Sequence, residues 1–190
     1  MTIFLDIDQV LTNWIYGFSY YLKCRHGIDF IPEKNTYYEY ISDNFKLYFD
    51  EFYQSPDVYG TYVNLFPDAE DFVNELKKTH KVKFITNTYP SEECIKNKSQ
   101  YLSWMLSIPV EDIIHASRKY LYMTKEDILV DDKPWNCYQH SSINKGRSIL
   151  FNYHSCYLYC NSQKLWEFAL GDRLIYATSY KVLLRFLGDE

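Results

Sequence analysis

Apolar positions along this chain fall into two rhythms that alternate. Ile3-Phe4-Leu5, Lys81-Val82-Lys83-Phe84-Ile85, Ile113-Ile114, Ile128-Leu129-Val130 and Ser148-Ile149-Leu150-Phe151 are short aliphatic or aromatic runs, which is how buried strands read. Between them the spacing changes to three and four. Trp14, Ile15, Phe18, Tyr21 and Leu22 predict a helix from Asn13 to about Lys23, and Ala69, Phe72, Val73 and Leu76 predict one over Ala69 to Thr79. Further helices are predicted over Ser91 to Leu106 and Ser179 to Leu187, with a weaker one over Leu158 to Leu170. Strands separated by helices imply parallel βαβ connections, so the pattern predicts an α/β three-layer sandwich around a central parallel sheet.

One segment breaks the alternation. From His26 to about Tyr62 the chain is rich in aromatics, with Pro32 and Pro56 as breakers and short helices predicted over Tyr37 to Ile41 and Asn44 to Tyr53. It reads as a small helical cap inserted after the first strand, giving a cap of residues 14–62 and a core of residues 1–13 and 63–190.

Composition narrows the partners. The chain carries 20 Lys plus Arg against 25 Asp plus Glu, a net charge of −5, with no basic stripe. That argues against extended phosphate-backbone binding and favours a small phosphorylated metabolite held by one or two local cations. Twenty Tyr and twelve Phe are an unusual load. Most are expected in the core, but tyrosine also offers a stacking face with a hydroxyl, which suits a nucleobase or sugar. Five scattered cysteines give no disulfide framework, and His154, Cys156 and Cys160 lack the second half of a metal site. Asp6 and Asp8 interrupt the N-terminal apolar run and no 18-residue apolar stretch follows, so neither a signal peptide nor a membrane span is expected. A cytoplasmic protein is the expectation; whether it forms a homodimer is left open.

The polar residues that follow the strands carry the chemistry. Asp6 and Asp8 end the first run, Thr86, Asn87 and Thr88 end the second, and Asp131 and Asp132 end Ile128-Leu129-Val130, while Ser117-Arg118-Lys119 lies in a loop between strands. In open α/β sheets ligands bind outside the carboxyl ends of strands. Carboxylates gathered there repel one another unless a cation relieves them, and Mg²⁺, which takes oxygen ligands, waters and substrate phosphate, fits that need. Each residue alone has a plainer reading: Asp8, Asp131 and Asp132 as helix caps, Thr86 as a turn residue, Lys119 as a surface charge.

Asp6-Ile7-Asp8-Gln9-Val10-Leu11-Thr12, Phe84-Ile85-Thr86, Lys119 and Val130-Asp131-Asp132 resemble the four successive motifs of haloacid dehalogenase-superfamily phosphatases. The nearer resemblance is to the 5′(3′)-deoxyribonucleotidase family, including its bacterial and phage members. It extends to Trp14, to Pro67-Asp68-Ala69, to Ser117-Arg118-Lys119 with Asp131-Asp132-Lys133-Pro134, and to the helix Cys94-x-x-x-Lys98-x-x-Tyr101-Leu102-x-Trp104. It covers nearly the whole chain, least so the last forty residues.

The resemblance implies a haloacid dehalogenase-like fold and a Mg²⁺-dependent phosphomonoesterase acting on deoxyribonucleoside monophosphates. Asp6 would be the nucleophile and Asp8 the acid and base. Asp6, the main-chain carbonyl of Asp8 and Asp132 would hold Mg²⁺, with Asp131 in support. Thr86, Asn87 and Lys119 would bind phosphate; Trp14, Tyr53 and, more weakly, Tyr38 with its neighbours Tyr37 and Tyr40 would meet the substrate. Thr88 remains an alternative to Thr86, and Lys125 to Lys119. Gln9 stands where the family often has Gly. The rival readings are the same chemistry on another small phosphate ester or a nucleic-acid 3′-phosphate, and a non-catalytic nucleotide-binding protein on the same scaffold.

Overall fold

The computed structural model describes residues 1–32, 41, 44–153 and 174–188. Its centre is a six-stranded, wholly parallel sheet: β1 (Thr2–Leu5), β2 (Lys81–Thr86), β3 (Ile113–His115), β4 (Ile128–Asp131), β5 (Arg147–Phe151) and β6 (Leu174–Ala177), in the order β3-β2-β1-β4-β5-β6. β1 lies in the middle, with Ile3 facing Val82 on one side and Ile128 on the other. The chain winds outward from β1 through β2 to β3, then crosses back to β4. The crevice between the carboxyl ends of β1 and β4 is therefore the topological switch point, where a doubly wound sheet opens to a ligand.

Helices α1 (Trp14–His26), α2 (Phe49–Gln54), α3 (Ala69–Thr79), α4 (Glu92–Leu106), α5 (Pro134–Gln139) and α6 (Tyr180–Gly188) surround the sheet. Successive residues of β1 face opposite ways: Ile3 and Leu5 enter the main apolar cluster, Phe4 a smaller one with Ile85, Met123 and Leu129. Both faces being covered, β4 reads as an unbroken apolar run rather than an alternation. None of the described helices is long and apolar enough to cross a membrane.

Three local differences from the sequence pattern have physical causes. α1 runs on to His26 because the stop is Gly27, whose positive φ of 65° lets its N–H bond the Lys23 carbonyl and the Ile28 N–H bond the Leu22 carbonyl. β6 has no sequence counterpart: it is a four-residue edge strand, too short for a period to show. Asn44 to Tyr53 is a 3₁₀ turn (Lys46–Tyr48) leading into α2. The expected helices over Tyr37 to Ile41 and Leu158 to Leu170 fall wholly or largely outside the described residues, as do Tyr37, Tyr38 and Tyr40.

The chain leaves for residues 14–62 and returns along one short antiparallel seam. Asn13 N–H donates to the Asn64 carbonyl (2.9 Å), Phe66 N–H to the Leu11 carbonyl (2.8 Å), and the Asn13 side chain accepts from Asn64 N–H (2.8 Å). Gly17 lets α1 press on the returning segment, since a Cβ there would lie 2.7 Å from the Tyr62 carbonyl and the Val63 side chain. Trp14, Phe18, Tyr21 and Phe52 share one buried cluster with Ile3, Leu5 and Phe84 of the sheet.

Candidate active site

The last residues of β1 and β4 put three carboxylates in one place. Asp6 follows β1 directly, its N–H bonded to the Val130 carbonyl (2.9 Å), while Asp131 closes β4 and Asp132 is the next residue. All three are buried, and their carboxylate oxygens lie within 4.8 Å of one another. Lys119, also buried, enters from the 3₁₀ turn Lys119–Tyr122 and pairs with Asp6 (2.7 Å) and Asp131 (2.6 Å). Lys125 sits on the surface beside Glu126, so the lysine at the carboxylates is Lys119.

Lys119 pairs with two of these three buried carboxylates, and Lys133 and Lys98 act on them more weakly, so negative charge stays in surplus. Burial pushes Asp6 up, but Lys119, and more weakly Lys133 and Lys98, bring it below its ordinary value. Lys119 in turn is held above its usual range: burial opposes its charge, and Asp131 and Asp6 outweigh that. Asp132 goes the other way, well above the carboxylate range, through burial first and then the charges of Asp6 and Asp131. An all-oxygen donor set with surplus negative charge fits a hard divalent cation such as Mg²⁺. Asp6 and Asp132 are the side chains that would hold it. Asp131 is engaged otherwise: it accepts from Lys119, from the Lys133 N–H (2.8 Å) and from the Asn136 amide (3.1 Å). It fixes the lysine and the loop, a supporting part.

Asp8 occupies a second polar centre, two residues beyond Asp6. The turn that follows Asp8 bonds back on Ile7, whose carbonyl accepts from Leu11 N–H (2.8 Å) and Thr12 N–H (3.0 Å). Gln9 takes the left-handed conformation there (φ 63°), which explains why glycine suits this position. Its side chain offsets that strain by accepting from Ile15 N–H (3.0 Å), one of the open donors of the first turn of α1. Asp8 accepts from Tyr59 (2.9 Å), Thr12 (3.1 Å) and Lys98 (2.7 Å), and its side chain remains 24% exposed, open to the cavity above.

Lys98 joins this centre although the sequence pattern assigns it no role. It projects from the middle of α4, is 1% exposed, and bridges Asp8 to the Thr86 hydroxyl (2.7 Å) with its ammonium 5.3 Å from the Tyr59 ring centroid. A signal was available: Cys94, Lys98, Tyr101 and Leu102 form one stripe at helical spacing, and Lys98 holds an apolar position in it. Because Thr86 accepts from Lys98, its own proton is free to point at a ligand. Asn87 is exposed beside it. Thr88 contacts His115 instead (2.7 Å).

Above the carboxylates lies a cavity of about 240 Å³ whose lining includes Asp8 and Asp132 at one end and Trp14, Phe49, Tyr53 and Tyr89 along the wall, with Asn87 and Thr88 on the loop after β2. Trp14 and Tyr53 stack at 6.1 Å and Tyr53 and Tyr89 at 4.9 Å. The fold thus brings Asp6, Asp8, Thr86, Lys119, Asp131 and Asp132 together, and Trp14 and Tyr53 to the adjoining wall.

A parallel sheet with carboxylates at its switch point is the plan of the haloacid dehalogenase-like hydrolases, and solved structures bear out the fold. A haloacid dehalogenase-like family hydrolase from Streptococcus pneumoniae superposes with TM-score 0.57 at 14% identity over 97% of each chain. A conserved haloacid dehalogenase-like protein of unknown function from Agrobacterium tumefaciens gives 0.57 at 12% identity, covering 98% of this chain and 97% of its own. A HAD phosphatase from Thermococcus onnurineus gives 0.51 at 16%, covering 100% and 98%. A comparison with curated protein sequences finds no match. The sequence profile of the family described as 5′ nucleotidase, deoxy (pyrimidine), cytosolic type C matches residues 1–168. The chain belongs to that family, and with it to the phosphoric monoester hydrolases.

Proposed function

We propose that the protein is a Mg²⁺-dependent phosphatase of deoxyribonucleoside monophosphates. The observation that carries this reading is the pairing of Asp6 with Lys119 at the switch point, beside Asp8 at the mouth of an aromatic-walled cavity. Asp6, held ionised by Lys119, attacks phosphorus; the ester P–O bond breaks as an aspartyl phosphate forms. Asp8 gives a proton to the departing sugar oxygen, then takes one from the water that releases phosphate and restores Asp6. Lys119 and the Thr86 hydroxyl steady charge on the phosphoryl oxygens. Asp6 and Asp132 would hold Mg²⁺, which would supply charge neutralisation as two anions approach.

Residues 14–62 act as the cap, with Trp14 and Tyr53 as the face a base stacks on. Net charge and the size of the cavity favour a mononucleotide over a polynucleotide. The test is phosphate release from a panel of 5′- and 3′-deoxynucleotides with and without Mg²⁺. Hydrolysis of at least one nucleotide, lost by about 10⁴-fold or more in Asp6→Asn, is expected. Silence on every nucleotide, or an unimpaired Asp6→Asn, rejects it.

A further inference from the structure

Two neighbouring residues of α4 address the two threonines of Thr86-Asn87-Thr88. Lys98 reaches Thr86 directly. Ser99, itself buried, reaches Thr88 through an imidazole: Ser99 Oγ lies 2.8 Å from His115 Nε2, and His115 Nδ1 lies 2.7 Å from Thr88 Oγ1. His115 is placed for this by the sheet, since it pairs with Thr86 across β2 and β3. Thr88 lines the cavity that Asp8 and Asp132 also line.

We propose that Thr88 is a second phosphate-binding hydroxyl and that His115 and Ser99 are positioning residues that hold it as a hydrogen-bond donor. The inference rests on the reading of this cavity as a phosphate-ester site. Toward an oxyanion a hydroxyl has to give its proton, so Thr88 must accept from its other neighbour. That neighbour is Nδ1 of His115, which therefore carries the proton, leaving a lone pair on Nε2 for the Ser99 hydroxyl to donate into. The relay is polarised in one direction, from Ser99 through His115 to Thr88 and the ligand. Burial, and then the nearby Lys98, lower the pKa of His115 and keep the ring neutral, as such a relay requires. In the opposite tautomer Thr88 would donate into the ring and turn only lone pairs to the cavity, which repels phosphate.

The test is titration of the Mg²⁺-loaded protein with inorganic phosphate, followed by calorimetry and by ¹⁵N NMR of the His115 ring. Thr88→Val and His115→Phe should each weaken phosphate about tenfold, the value of one hydrogen bond to a charged group. The double variant should be no weaker than Thr88→Val alone, because His115 acts only through Thr88. Thr88→Ser, which keeps the hydroxyl, and His115→Asn, whose amide can stand in for Nδ1–H, should stay within about threefold of the parent. Phosphate binding unchanged in Thr88→Val, losses that multiply in the double variant, or an Nε2–H tautomer in the phosphate-saturated protein would each overturn the proposal. Should phosphate bind through Thr88 while no nucleotide is hydrolysed, the proposed function fails and the relay stands. Should nucleotides be hydrolysed while Thr88→Val binds phosphate normally, the relay alone fails. A protein that binds no phosphate overturns both.

Discussion

Two buried lysines divide the site between them. Lys119 sits against Asp6 and Asp131, both buried, with Asp132 adding a third carboxylate; Lys98 sits against one carboxylate, Asp8, which is partly exposed and already holds two hydroxyl donors. The Lys119 side is short of positive charge, whereas the Lys98 side is balanced. The first arrangement suits attack on an anion with a cation's help, the second a carboxylate whose surroundings must serve it both protonated and ionised. Sign and surplus of charge, more than residue type, separate the two aspartates of Asp6-Ile7-Asp8.

The largest break in that comparison comes from Lys119→Met. It leaves buried Asp6 and Asp131 without the cation that pairs with both, and breaking a buried pair in this way costs about 3–5 kcal/mol. Phosphate release should fall about 10²- to 10³-fold, and the urea midpoint should drop in EDTA and recover in part with Mg²⁺. Lys119→Arg keeps the charge and should recover the stability more than the rate. A variant with the parent's midpoint in EDTA would show that the pair is not what holds these carboxylates.

Lys98→Met should do less. Asp8 keeps Tyr59, Thr12 and some water, so the stability cost is about 1–3 kcal/mol. Turnover should fall about 10- to 10²-fold, with the loss in kcat, since Lys98 aims Asp8 and Thr86 rather than the base. A loss confined to KM would place Lys98 in binding instead.

The charge imbalance itself can be read from pH. Asp132 has its folded-state carboxyl well above the ordinary value, through burial and then Asp6 and Asp131. A carboxyl that protonates more readily when folded contributes stability below its unfolded pKa, about 4, and loses it as pH rises through the folded value. Asp6, lowered, contributes above that same range and loses it only as pH falls through its own folded value. In EDTA the urea midpoint of the parent, taken relative to Asp132→Asn, should therefore fall between pH 5 and pH 7.5, and Mg²⁺ should offset the fall; burial lowers His115 and His140, which adds a rise over the same interval that both proteins share. A difference that rises over this interval without metal would contradict the imbalance. The effect on the midpoint should be smaller than that of Lys119→Met.

The same contrast explains what could be read in advance. Asp6, Asp8, Asp131 and Asp132 stand directly behind apolar strands, where a carboxylate interrupts a pattern and the sheet's topology gives it a place. Lys119 was legible in the run Ser117-Arg118-Lys119, which the family resemblance picks out, while its spacing to Asp131 left Lys125 open. Lys98 was hidden by its chemistry, because a lysine in a helix reads as solvated unless its position in the apolar stripe is weighed against its neighbours. His115 ends a three-residue strand, and nothing local says that its ring meets residues 27 positions before it and 16 before it on two other elements. Such juxtapositions are made by the sheet register. The aromatic wall was legible only in part: Trp14 and Tyr53 follow motifs, whereas Tyr89 comes into view once Tyr53 is seen stacked on it.

That wall offers the smallest effect and the cleanest division of labour. The Tyr53 ring stacks with Trp14 and Tyr89 and meets Phe49 and Phe52 edge-on, so it belongs to the aromatic wall. Tyr53→Leu removes a stacking face worth about 0.5–1.5 kcal/mol while keeping an apolar side chain in the wall. KM for a nucleotide should rise about 2- to 10-fold with kcat nearly unchanged, because a base bound equally in the ground and transition states alters binding alone. A phosphate ester without a base, such as a simple pentose phosphate, should be turned over by parent and variant alike. If the variant lost kcat on both substrates, the wall would be part of the chemistry, and the separation of a charged floor from an aromatic recognition face would not hold.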